Sequence, residues 1–240
     1  MDLNEFSNKI KQISKDININ IDDEQAEKFY NYMNSLLEWN EKINLTAITE
    51  PDDIIIKHFI DSLTINRYIQ LNKSLIDIGT GAGFPGIPLG LIRADSKILL
   101  VDSLNKRVNF LGNVCNSLQL KNISTKHARV EELAHDLNYR EKFDYATSRA
   151  VAPLNVLLEY MLPFIKNEGY CICMKSSNAS IEIEQAKKAL DVLGGKIERV
   201  DEFNLPGTDM NRTIIIVKKI KNTLNKYPRK PGTPSKDPIV

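Results

Sequence analysis

Apolar residues recur at helical spacing between Asp22 and Asn40, where Ala26, Phe29, Met33, Leu36 and Leu37 share one face of a predicted helix. Asp22 or Asp23 is placed to cap its start. After Asn44 and Thr46, Pro51 opens a second helical stretch through Ile55, Phe59, Ile60 and Leu63, so the first ~70 residues read as a helical extension. The pattern then changes to short apolar runs alternating with helical segments. It predicts strands near 74–78, 97–101, 122–127, 143–148, 169–174, 197–203 and 212–218, with helices near 85–93, 104–118, 153–163 and 180–193. Leu104, Val108, Leu111, Cys115 and Leu118 form one such helical face, and Pro153 suits a first turn.

Alternation of this kind predicts an α/β fold with a mostly parallel, doubly wound sheet, helices on both faces and ligands at the carboxyl ends of the strands. The Gly194-Gly195 break and the two late apolar runs predict a terminal β-hairpin. The segment from Lys226 to Lys236 has three prolines and no apolar period, and is expected to be neither helix nor internal strand. The chain is thus divided into a helical extension over 1–70, an α/β domain over 71–220 and a basic tail over 221–240.

The run Asp77-Ile-Gly79-Thr-Gly81-Ala-Gly83-Phe84-Pro85-Gly86 follows the first strand and places a cofactor loop there. Alternate glycines let the chain turn sharply and let a ligand lie against bare backbone. Asp102 closes the second strand, 25 residues after Asp77, where a carboxylate can accept hydrogen bonds from a ribose diol. Gly81-x-Gly83-x-x-Gly86 also fits a dinucleotide fingerprint. Asp77 argues against a pyrophosphate, because like charges ~5 Å apart at an effective dielectric of ~20 repel by on the order of 3 kcal/mol. The same carboxylate attracts the ammonium and sulfonium of S-adenosylmethionine. A nicotinamide-dependent oxidoreductase stays open as the alternative.

The net charge of +1 conceals an asymmetry: residues 1–53 carry twelve acids against five lysines, while the chain from Lys218 onward carries seven cations against Asp237. A polyanion partner at the C-terminal end and a solvated basic tail are both compatible with that distribution. Cys115, Cys171 and Cys173 have neither zinc-ligand spacing nor an even count, which points away from metal and disulfides and toward small core residues in a reducing, cytoplasmic setting. No stretch is apolar enough for a membrane span, and the first residues lack a signal-peptide pattern.

Other candidates lie at strand ends. A backbone amide or carboxylate of Ala128-Arg129-Val130-Glu131-Glu132 could grip an adenine edge, or Glu131 and Glu132 could serve a helix start. Arg149 ends the fourth strand and Lys175 the fifth; with Lys121, Lys126, Arg129 and Arg212 they could form a basic rim for phosphates. His58 and Asp61 are near enough to pair, as a cap or as a dyad, and Trp39 could stack on a base or fill the core. No role is assigned to His127 or His135.

The segments Trp39–Thr46, Lys57–Leu63, Asp77–Pro88, Asp102–Arg107, Ser148–Ala150 and Lys226–Pro234 together resemble the RsmG family of bacterial ribosomal RNA methyltransferases, also called glucose-inhibited division protein B. The resemblance implies a class I S-adenosylmethionine-dependent methyltransferase fold. It also implies methyl transfer to N7 of a guanosine in the decoding-region loop of 16S RNA, on the RNA or on a small-subunit precursor. The implied cofactor contacts fall on Gly79, Phe84, Val130, Glu131 and Arg149, with Asp102 at the ribose beside Gly81 and Gly83. Val130 stands where relatives often carry Ala. The RNA is expected to meet Arg149, Lys175, Arg212, Arg229 and Lys230. Guanine N7 already carries a free lone pair, so no catalytic base is expected and none is assigned. A non-catalytic RNA-binding module is the remaining alternative.

Overall fold

In the computed structural model, which describes residues 1–176 and 179–240, seven strands form one sheet: β1 (Ser74–Ile78), β2 (Lys97–Asp102), β3 (Ile123–His127), β4 (Phe143–Arg149), β5 (Ile165–Lys175), β6 (Gly195–Asn204) and β7 (Asn211–Lys219). Their order is β3-β2-β1-β4-β5-β7-β6, with β7 antiparallel to both neighbours and the other pairs parallel. The late runs thus form the expected hairpin. β5 begins at Ile165, ahead of the expected start near 169.

Because side chains alternate along a strand, each strand feeds two cores. Leu75, Ile98, Leu100, Ile172, Met174, Ile214 and Ile216 face one side. Ile76, Ile78, Leu99, Val101, Cys171, Cys173, Ile215 and Val217 face the other. The second core is covered by the helices Leu154–Met161, Ala179–Gln185 and Lys187–Leu193. The first is covered by Gly86–Ile92, Asn105–Ser117 and the helices of the first seventy residues. All three cysteines are buried and free.

The N-terminal helices are built into that first core. Phe6 and Ile10 of the helix Leu3–Lys15 and Phe29, Tyr32 and Leu36 of the helix Asp23–Ile43 are fully buried. Phe59 lies 5.1 Å from Phe29 and 5.3 Å from Tyr32, ring centre to ring centre. Asp22 caps the long helix by a reciprocal box with Gln25, as expected, and Leu3–Lys15 precedes it within the helical extension. The stretch opened by Pro51 is helical through Tyr68, but its centre, Ile54–Ile60, is a π-helix. Trp39 packs on Phe110 at 5.7 Å, on the core side of its two readings.

The tail departs from expectation. It contains a short helix, Thr233–Lys236, and returns to the domain, where Pro228 and Pro234 are buried. Among the described residues no helix is long and apolar enough to cross a membrane, and no group of three His, Cys, Asp or Glu residues is placed to hold a metal.

Candidate active site at the carboxyl edge of the sheet

The glycine run turns from β1 toward the helix Gly86–Ile92 with φ of +64° at Gly79, +61° at Gly81 and +101° at Gly83. Two kinds of glycine are present. A Cβ on Gly81 would meet nothing closer than 4.0 Å, so that position leaves space open; one on Gly86 would meet Leu100 at 2.2 Å and Asp77 at 2.9 Å. Gly86 therefore serves the approach of helix to strand. Gly83 faces Ile87 and Tyr32 and is not part of the cavity wall.

Asp77 lies beneath the loop and is wholly buried. Its Oδ2 accepts from Thr80 Oγ1 at 2.7 Å and from Gly86 N at 2.9 Å, while Oδ1 has no partner among the described residues. Burial pushes this carboxyl up to about 7, against the two hydrogen bonds, which favour the charged form. Asp77 is not beside the ligand space as its place in the sequence suggests; it braces the loop from below and is absent from the cavity wall. Asp102 holds the loop from the side, its Oδ2 accepting from Gly81 N at 3.0 Å and its Oδ1 from Leu104 N at 2.9 Å.

A cavity of about 480 Å³ opens above these residues. Its wall includes Gly79, Gly81, Phe84, Asp102, Val130, Glu131 and Arg149, which the sequence pointed to, and Thr46, His58 and Tyr160, for which it gave no cofactor role. A second cavity of about 860 Å³ adjoins it, with Asp61, Lys175, Glu182 and Arg212 in its wall. His58, Arg149, Ala150 and Val151 belong to both walls.

Arg149 is the centre of that partition. Nη1 donates to Lys57 O at 3.0 Å and to Asp61 Oδ2 at 3.1 Å; Nη2 donates to His58 Nδ1 at 3.1 Å. The guanidinium lies 4.9 Å from the Phe84 ring centre, and the His58 ring stacks on Phe84 at 4.4 Å. His58 and Asp61 do not pair with each other as the sequence suggested; the π-helix and its continuation present both to Arg149. Burial, and then the Arg149 charge, push the His58 imidazole down to about 3. Burial also lowers Arg149 from the ordinary arginine range, with Asp61 opposing. Asp61 Oδ1 accepts from Arg212 Nε at 2.8 Å, so one carboxylate joins the two arginines.

The cations expected to meet RNA are placed differently from one another. Arg149, Lys175 and Arg212 are in the wall of the second cavity, with Lys175 Nζ donating to Glu182 Oε2 at 2.7 Å and Ala152 O at 2.6 Å. Lys230 is exposed. Arg229 turns inward, its Nη2 at 2.9 Å from Oε2 of the buried Glu159. His127 and His135 bind the carbonyls of Ser103 and Pro228, and neither imidazole is in a cavity wall, although Ser103 is in the wall of the smaller one.

The family model described as rRNA small subunit methyltransferase G matches residues 25–214. Proteins named ribosomal RNA small subunit methyltransferase G from Acetivibrio thermocellus and Clostridium botulinum are similar to this chain. The first is 54% identical over 92% of each chain, and the second is 48% identical over 98% of this chain and 99% of the relative. Among solved structures, an S-adenosylmethionine-dependent methyltransferase from Aquifex aeolicus matches with a TM-score of 0.53 at 17% identity, covering 70% of this chain and 94% of the other. The cyclase SpnF matches with a TM-score of 0.57 at 12% identity, covering 82% and 96%. These last two likenesses concern the class I methyltransferase fold alone. With its sheet order, its glycine loop and a family match that runs from the long N-terminal helix into β7, the chain belongs to the small-subunit ribosomal RNA methyltransferase G family.

Proposed function

We propose that this protein methylates N7 of a guanine in 16S ribosomal RNA, with S-adenosylmethionine in the smaller cavity and the target base in the larger. The observation that carries this reading is the shared wall of His58, Arg149, Ala150 and Val151 between a glycine-lined cavity and one walled by Arg149, Lys175 and Arg212 with Asp61 and Glu182. A methyl donor and an acceptor held on the two sides of that wall would meet at the carboxyl edge of β1 and β4.

The residues present fit S-adenosylmethionine. Gly79 and Gly81 offer backbone without a Cβ, Asp102 offers a carboxylate at the end of β2, and the Asp77 carboxyl lies under the loop with Oδ1 unpartnered among the described residues. Val130 and Glu131 would flank the adenine, and Phe84 with Arg149 the methionine end. When bound, the cofactor supplies an electrophilic methyl group on a sulfonium.

The protein's own contribution is then placement. Guanine N7 has a free lone pair at neutral pH, so attack requires alignment with reacting atoms about 3–3.5 Å apart and no proton removal. His58 supports this reading because both of its nitrogens are engaged, Nδ1 by Arg149 and Nε2 by Thr46 Oγ1 at 2.8 Å. Asp61 is likewise occupied by Arg149 and Arg212, so neither group is free to act as a general base. The wall cations favour an anionic backbone near the second cavity. The family relatives lend no support to the nicotinamide alternative or to a non-catalytic module.

The test uses 16S RNA from cells with and without the gene, cleaved by borohydride and aniline and read by reverse transcription. A stop at one guanine that disappears on deletion, and returns when purified protein and S-adenosylmethionine are added, is the expected result. A stop that persists after deletion rejects the N7 assignment.

A further inference from the structure

The tail from Tyr227 to Ile239 is stitched to the domain by polar contacts at sites unrelated to any apolar pattern. Arg140 holds its entry, donating from Nη1 to Tyr227 O at 2.9 Å and from Nη2 to Thr223 O at 2.8 Å and Leu224 O at 3.2 Å. Arg229 then closes on Glu159, which is wholly buried in the helix Leu154–Met161. Arg229 N and Nε reach Glu159 Oε1 at 2.7 and 3.0 Å, and Nη2 reaches Oε2 at 2.9 Å. A buried carboxylate with a forked arginine is held far more firmly than an exposed pair, because removal of either partner strands a desolvated charge.

The next contacts reach the smaller cavity. Gly232 N donates to Glu131 Oε1 at 3.1 Å, and Ser235 Oγ lies 3.0 Å from Tyr160 Oη. Glu131 and Tyr160 both belong to the cavity wall. At one end of the cavity, therefore, two wall side chains are fixed by a strap that itself forms no part of the wall.

We propose that this strap sets the cofactor affinity of the smaller cavity, with Arg229 as a positioning residue that acts through Glu159, Gly232 and Glu131. The proposal rests on the reading of that cavity as the S-adenosylmethionine site and gives Arg229 a role separate from RNA contact. Coupling is reciprocal: if the strap orders the wall that receives the cofactor, the bound cofactor steadies the strap by the same factor.

The test measures S-adenosylmethionine dissociation by calorimetry, and the KM for RNA, on full-length Arg229→Ala, Arg229→Lys and Lys236→Ala. Lys236 is exposed on the same strap and serves as the charge control. Arg229→Ala is expected to weaken the cofactor roughly 5- to 150-fold, the span of typical coupling between sites, with KM for RNA within about twofold. Arg229→Lys should recover part of the affinity, and Lys236→Ala should retain it. Unchanged cofactor affinity in folded Arg229→Ala, or a loss confined to RNA, overturns the proposal. Should Arg229→Ala fail to fold, tryptic cleavage of the natural chain after Lys226 and Arg229 decides. Cleavage slowed by S-adenosylmethionine supports the coupling, and equal rates reject it. A natural chain with no affinity for S-adenosylmethionine would instead refute the reading of the cavity, and this proposal with it.

Discussion

Arg149 donates an N–H to Nδ1 of His58 at 3.1 Å. Arginine has no acceptor, so Nδ1 must present its lone pair and the imidazole proton must sit on Nε2, directed to Thr46 Oγ1. This contact fixes the tautomer of His58 and adds to burial in keeping it neutral, and with the Thr46 contact it ties the loop after the long N-terminal helix to the end of β4.

Replacing Arg149 by Lys keeps the charge but cannot reproduce a fork that reaches Lys57 O, Asp61 and His58 together. A methylation rate lowered on the order of 100-fold is expected, since small misplacements at a reacting pair cost about that much. Single-turnover assays with saturating cofactor check it; a rate within about threefold of the natural enzyme would show that charge alone suffices.

Two buried groups should give opposed pH dependences of stability. The folded pKa of Asp77 is raised from 3.8 to about 7, so its stabilising contribution is full below about 4 and is lost as pH rises through about 7. That of His58 is lowered from 6.5 to about 3, so its contribution is present above about 6.5 and is lost as pH falls through about 3. Between pH ~4 and ~6.5 the slopes oppose, each up to about 1.4 kcal/mol per pH unit. Urea melts should show Asp77→Asn gaining stability with rising pH over this window, and His58→Gln losing it. Parallel curves for both variants would contradict these protonation states.

The two kinds of glycine should separate in experiment. Gly86→Ala drives a methyl into Leu100 and Asp77 and is expected to lower stability by about 1–3 kcal/mol. Gly81→Ala meets open space and bears only the cost of a left-handed backbone, about 1–2 kcal/mol, yet should impair cofactor binding well beyond that loss. Thermal melts with and without S-adenosylmethionine distinguish them; a normal ligand-induced shift in folded Gly81→Ala would remove the loop from the binding site.

Arg212 offers a handle on the larger cavity. Arg212→Ala should raise the KM for RNA by about 5- to 150-fold, as for loss of a 1–3 kcal/mol nucleic-acid contact, with S-adenosylmethionine affinity nearly unchanged. Paired measurement of RNA KM and cofactor dissociation tests the division; a matching fall in both would mean that Arg212 acts only by buttressing Asp61.

Much of the sheet was legible because its signal is local. Ile76 and Leu99 feed one core while Leu75 and Leu100 feed the other, and such runs bounded by turns announce strands. The glycine loop was legible because its backbone demands particular residues. The helix Leu3–Lys15 also carries a local signal, Leu3, Phe6, Ile10 and Ile13 at helical spacing, within the extension expected to be helical. The tail was missed because Arg140 and Glu159 recruit it through carbonyls and charge, which leave no periodic trace. The partition between the cavities was also hidden. Arg149 stands 91 positions from His58 and 88 from Asp61, and only folding across β4 brings them together.

The three cysteines give the molecule an internal clock. Burial pushes Cys115 up to about 11, Cys173 up to about 12 and Cys171 well above the ordinary thiol range, and none is exposed. A thiol-directed reagent therefore finds neither access nor thiolate in the closed molecule, and labelling must wait for an opening event. Cys115 lies in the Asn105–Ser117 helix on one face of the sheet, whereas Cys171 and Cys173 point into the opposite core. Their separate alkylation rates report how often each layer lifts from the sheet, with no probe added to the chain.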